Sequence, residues 1–118
     1  IEKVSESTPV TVNDAALARR LNGAIATALG SDVVVPFRQS NMGAEDFAFF
    51  VDQQFGIPGY YFAVGGTKPE WIAAAKNGGP AVAGHHSPLF KIDPEPSVRL
   101  GIEAMTAAAL DLLGTGKN

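Results

Sequence analysis

The order of elements along this chain of 118 residues predicts an α/β fold, with helices packed on a sheet. Three observations carry that prediction. Two long segments, near residues 14–30 and 97–113, repeat apolar residues at helical spacing. Two short runs, "DVVVPF" (32–37) and "GYYFAVGG" (59–66), are β-branched or aromatic and are marked by Pro or Gly. The two kinds of segment alternate, giving β, α, β, α, β, loop, α.

The elements follow in order. "VSESTPVTVND" alternates apolar and polar residues around Val4, Val10 and Val12, which reads as an extended segment; Pro9 keeps it off a central strand. Asn13 or Asp14 then caps a helix by accepting from its first free amides. In that helix Leu17, Leu21, Ile25 and Ala28 form one buried stripe, Arg19, Arg20 and Asn22 face elsewhere, and Gly30 stops it. "DVVVPF" reads as a strand. After it, a loop with Gly43 leads into a short helix carrying Phe47, Phe50 and Val51, with Glu45 and Asp46 where acidic groups suit the helix dipole. "GYYFAVGG" reads as the best strand. Residues 65–84 form a long Gly-, Pro- and Ala-rich loop with one turn of helix at Glu70 to Lys76. The last helix starts at Asp93-Pro94 or Ser97 and runs to Leu113, with Val98, Ile102, Met105, Ala109 and Leu112 as its buried stripe.

Composition excludes several classes. A net charge of −3 argues against nucleic acid as a partner, because neutralising phosphates needs a basic patch. No run of about 18–20 apolar residues marks a membrane span. With no cysteine, neither a disulfide scaffold nor a thiolate zinc site is open to this chain. The start "IEKVSESTPV" has no apolar signal segment, and the expected location is the cytoplasm. Opening on Ile1 rather than Met, the chain is expected to be a processed chain or a piece of a longer one.

Two stretches hold candidate chemistry. The chain's two histidines, His85 and His86, lie side by side in "GHHSPLF". A neutral imidazole is a common metal ligand, and Pro88 stiffens the loop that presents it. The alternative is an exposed loop histidine. Residue chemistry alone favours that alternative, since one ligand makes no zinc site. In "NMGAEDF", Gly43 permits a tight turn or a close approach to a ligand, and Glu45 and Asp46 diverge by about 100° on a helix. Taken alone, the acidic pair is better explained as a plain helix start, where acidic side chains suit the dipole. "VGG" at 64–66 lacks the Lys and Ser/Thr of a phosphate loop and reads as a turn.

Taken together, "P-x-T-V-N-D" (Pro9 to Asp14), "MGAEDFAFF" (Met42 to Phe50), "FAVGG" (Phe62 to Gly66) and "HSPLF-x-x-D" (His86 to Asp93) resemble the C-terminal end of the zinc amidohydrolases. That group includes hippurate hydrolase, aminoacylase and the indole-acetyl-amino-acid hydrolases. The resemblance covers nearly the whole chain. It implies a three-layer α/β/α sandwich, here the C-terminal part of a zinc-exopeptidase-like catalytic domain with a lid domain inserted upstream. Residues 1–12 would be the strand returning from the lid, and residues 13–118 the end of the catalytic domain. It also implies two divalent ions, zinc or manganese, in the intact enzyme, with a water between them that attacks the amide carbonyl. His86 would be the last metal ligand, while Gly43, Glu45 and Asp46 would line the substrate pocket. The other ligands and the general base would lie upstream. No catalytic residue falls in this chain, which alone is expected to hold no metal and to hydrolyse nothing. Its expected partners are a small-molecule amide substrate, the N-terminal catalytic half and, through the lid, a second copy. The rival expectation is a truncated, non-catalytic relative that serves as an interaction or structural module.

Overall fold

A computed structural model describes residues 8–36 and 45–114. Every regular element among them is helical. In order these are α1 (Ala15–Leu29), a 3₁₀ turn (Ser31–Val33), α2 (Phe47–Phe50), a second 3₁₀ turn (Gln53–Phe55), α3 (Pro69–Lys76) and α4 (Pro94–Gly114). The expected α/β sandwich is therefore corrected: no strand or sheet occurs among the described residues.

Each predicted strand fails for its own reason. Ser31–Val33, which takes in the start of the "DVVVPF" run, winds into a 3₁₀ turn after the left-handed Gly30, whose φ is 104°. The "GYYFAVGG" run stays free of helix, but its backbone finds no ladder. Tyr61 instead exchanges two hydrogen bonds with one side chain, that of Asn13. A strand exists only through pairing with another strand, so an aromatic, β-branched run is not sufficient. Residues 8–12 likewise carry no strand, and the remainder of the expected lid-to-domain strand lies outside the described residues.

The chain forms two compact units. One is built on residues up to Phe62 together with those from Ala107 onward; the other spans Ala63–Thr106. In the first unit, Asp14 caps α1: its carboxylate accepts from the Leu17 amide at 2.7 Å, and Gly30 closes the helix by donating to the Ala26 carbonyl. Leu21 and Ile25 are buried, as the stripe predicts, whereas Ala28 is exposed. Arg20 reaches Asp111 in the last turn of α4, with Nε 2.6 Å from the carboxylate and Nη2 2.8 Å from the backbone carbonyl. A cation suits that helix end, and a half-exposed pair of this kind contributes under about 1 kcal/mol.

In the second unit, α3 begins with Pro69 at its first position and ends where Gly79 donates to the Ala74 carbonyl. One turn was expected here and two form. The start of α4 is tied to the "VGG" turn: the Asp93 amide donates to the Gly66 carbonyl at 2.7 Å, and the Ser97 hydroxyl lies 3.0 Å from the Gly65 carbonyl and 2.6 Å from that of Asp93. The face of α4 is a further correction. The buried residues are Ala104 and Ala108, while Val98, Ile102 and Met105 of the predicted stripe are exposed by 57–62%. Among the described residues no helix is long and apolar enough to cross a membrane.

Candidate functional site

The histidine loop is made of two consecutive turns. The Ser87 amide donates to the Gly84 carbonyl, which places His85 and His86 at the two central positions of the first turn. The second has Ser87 and Pro88 at its first two positions and closes from the Phe90 amide to the Ser87 carbonyl at 3.0 Å. Ser87 also accepts from the Leu89 amide through its Oγ. Ser followed by Pro is the residue pair such a turn prefers, so this half of the loop is encoded locally. The first half is not. Its third position needs a positive φ, a place for Gly or Asn, and His86 occupies it at φ 65°. His86 is the one non-glycine residue at positive φ among those described. Left-handed backbone costs an L-residue about 1–2 kcal/mol. Neighbouring structure sustains that cost: two turns flank the residue, and the His85 ring lies 4.8 Å from that of Phe90. The imidazole of His86 is solvent-exposed.

The acidic loop is built differently. Glu45 and Asp46 start α2, where their carbonyls accept from the Ala48 and Phe49 amides. Neither carboxylate caps the helix, so the plain helix-start explanation leaves both side chains without that role. Both residues are exposed. Burial first, then the Glu45 carboxylate, hold the Tyr61 phenol above its ordinary value. Tyr61 is held in turn by Asn13. The Asn13 Nδ2 donates to the Tyr61 carbonyl, and the Tyr61 amide donates to Asn13 Oδ1, both at 2.7 Å. The Tyr61 ring packs 5.6 Å from Phe47. Beside this, the Asp14 amide donates to the Gly59 carbonyl. Gly59 is buried so tightly that an added Cβ would sit 2.1 Å from Val51 Cγ1. Gly43 lies outside the described residues.

Asn13 and Tyr61 are the residues that sequence reasoning missed. The sequence presents Asn13 as a helix cap and Tyr61 as part of a strand. They are 48 positions apart, and nothing in either segment announces the contact. Glu45 and Asp46 belong to the first unit and His86 to the second. Among the described residues no group of three or more His, Asp or Glu stands close enough to hold a metal ion. The described side chains therefore do not by themselves fit a two-ion centre.

The model of a protein family described as Peptidase family M20/M25/M40 matches residues 1–111. No curated protein and no solved structure matches the chain.

Proposed function

The chain belongs to peptidase family M20/M25/M40, and from that premise we propose that it forms the C-terminal part of a metal-dependent amidohydrolase acting on N-acyl amino acids or small peptide-like amides. Its residues 13–118 end the catalytic domain, and residues 1–12 return from a lid. His86 is one metal ligand. Gly43, Glu45 and Asp46 shape the pocket for the amide substrate. The remaining ligands of the zinc or manganese ions come from the upstream half of the parent enzyme, which is this chain's first partner; a lid-mediated homodimer is the second. The narrower kinship with hippurate hydrolase and aminoacylase rests on the "MGAEDF" and "HSP" motifs in their order.

The observation that carries the reading is the backbone of His86. Strain of this kind persists only where surrounding structure enforces it, and it clusters at functional sites. An ordinary exposed loop histidine gains nothing from a φ of 65°, a position at which Gly or Asn is at ease. A second support is the small number of buried apolar side chains: Leu21, Ile25, Ala48, Ala104 and Ala108 among the described residues. A chain that completes a larger domain keeps apolar surface free for the rest of it, and Val98, Ile102 and Met105 of α4 are such surface.

The test is His86→Ala in the intact enzyme. Metal content should fall, and turnover of N-acetyl amino acids and benzoylglycine should drop by more than about 10- to 100-fold, the scale on which losing even an outer-shell partner of a metal ligand acts. Normal metal content with normal turnover overturns the assignment. The exposed face of α4 also suits the non-catalytic module. That rival predicts that added zinc or manganese leaves the melting temperature of the chain mixed with its upstream half unchanged, whereas the enzyme predicts a rise.

A further inference from the structure

The sequence holds two Asn-Gly pairs, Asn22-Gly23 and Asn77-Gly78. Such a pair is chemically labile: the amide nitrogen after the asparagine can attack the asparagine's own side-chain carbonyl carbon, and glycine has no Cβ to block the approach. The fold treats the two pairs oppositely. Asn22 is half-buried in the middle of α1, and its Oδ1 accepts from the Tyr60 hydroxyl. The Gly23 amide lies inside the same helix, and the Gly23 carbonyl accepts from the Thr27 hydroxyl. Attack there requires α1 to open at its centre and the tyrosine bond to break. Asn77 is exposed and ends α3 as its C-cap. Its carboxamide has no hydrogen-bond partner among the described residues. Gly78 is exposed, stands at a φ of 86° that glycine adopts freely, and donates through one long bond of 3.3 Å to the Ala75 carbonyl. One weak bond at a helix end is all that must open there. Asn13, the other described asparagine, has its carboxamide clamped twice to Tyr61.

We infer that Asn77-Gly78 is a site of spontaneous modification to aspartate and isoaspartate, that the fold spares Asn22-Gly23, and that the isoaspartate product releases the end of α3. The Gly78 nitrogen bonds to Asn77 Cγ, the Cγ–Nδ2 bond breaks, and ammonia leaves with the amide proton, giving a cyclic imide. Water then opens the ring. Opening at Cγ leaves aspartate. Opening at the Asn77 main-chain carbonyl leaves isoaspartate, whose backbone runs through Cγ and is one carbon longer. No reagent other than water takes part. Either product places a new negative charge at the C-terminal end of α3, where the helix dipole is already negative. The longer backbone also breaks the turn that closes the helix. The Gly79 amide donates to the Ala74 carbonyl at 2.9 Å, and a Cβ on Gly79 would sit 2.8 Å from that same oxygen, so the turn has no slack. None of this depends on what the parent enzyme hydrolyses.

The test keeps the intact protein folded at mildly alkaline pH and follows the mass of its peptides with time. Asn77 should gain the mass of one deamidation at least about tenfold faster than Asn22, because Asn22 reacts only through opening of α1. In denaturant the two rates should converge to within about twofold, since the protecting structure is gone. Asn77→Gln should suppress the change at this position, because its longer side chain closes a larger ring far more slowly. In the isoaspartate fraction the Gly79 amide should lose hydrogen-exchange protection relative to unmodified protein. Equal rates at Asn77 and Asn22 in the folded protein, a difference that persists unchanged in denaturant, or an isoaspartate fraction with Gly79 still protected overturns the inference. Each of these outcomes leaves the amidohydrolase reading standing.

Discussion

The loop at Glu45–Asp46 is tied down by residues far away in the chain, whereas the loop at Gly84–Phe90 ties itself down. The helix that Glu45 and Asp46 start is held through Phe47 against Tyr61, itself clamped by Asn13 48 positions away, and through a glycine that must be a glycine for Val51 to pack. His86 is held by two turns whose hydrogen bonds each span three residues. The first loop gets its geometry from tertiary packing and carries no backbone strain at Glu45. The second gets it from local chemistry and concentrates its strain at one residue. A substitution in the support should therefore disrupt the acidic loop at a distance, while the histidine loop should respond mainly at the position itself.

The sharpest way to break that contrast is Gly59→Ala. A methyl group 2.1 Å from Val51 Cγ1 forces Val51 and the neighbouring Phe47 to move, at a cost of about 1–3 kcal/mol. Chemical denaturation of the first unit should show that loss, and the Tyr61 amide should lose hydrogen-exchange protection. Stability equal to the wild type would mean that the 59–61 segment yields and does not act as a fixed support.

A smaller effect is expected at alkaline pH. Burial holds the Tyr60 phenol above its ordinary value, and its hydroxyl donates to Asn22 of α1. Tyr61 is raised as well, by burial and by Glu45. A raised folded value favours the neutral phenol in the fold. Its contribution is complete below the unfolded pKa of about 10 and is lost as pH rises through the higher folded value. The acidic loop should therefore loosen above about pH 10, and Tyr60→Phe should flatten part of that loss. Thermal melting across this range reads it. Identical alkaline profiles for variant and wild type would assign the loss to other groups.

Much of the helical frame was legible in the sequence because its signals are local. Asp14, Gly30 and Pro94 mark helix ends through the backbone groups beside them. Ser87-Pro88 marks a turn in the same way. What could not be read depends on partners. The "GYYFAVGG" run has strand composition, but a carboxamide rather than a strand meets its backbone at Tyr61. α4 is apolar on two faces, so periodicity could not choose between them. The face with small residues packs at Ala104 and Ala108 and leaves Val98, Ile102 and Met105 outside. The candidate site divides in the same manner. His86 was visible as one of two histidines, while the Asn13–Tyr61 clamp beside the acidic loop was invisible until the chain was folded.

The most direct measurement pairs His86→Gly with His86→Ala in the intact enzyme and records bound metal and metal-free melting temperature for each. Both variants lose the imidazole, and only glycine is at ease at a φ of 65°. The account predicts that both lose metal and turnover, and that metal-free His86→Gly melts above His86→Ala by the equivalent of about 1 kcal/mol. If both variants bind metal and turn over as the wild type does, His86 is no ligand, and its strained backbone has some other cause.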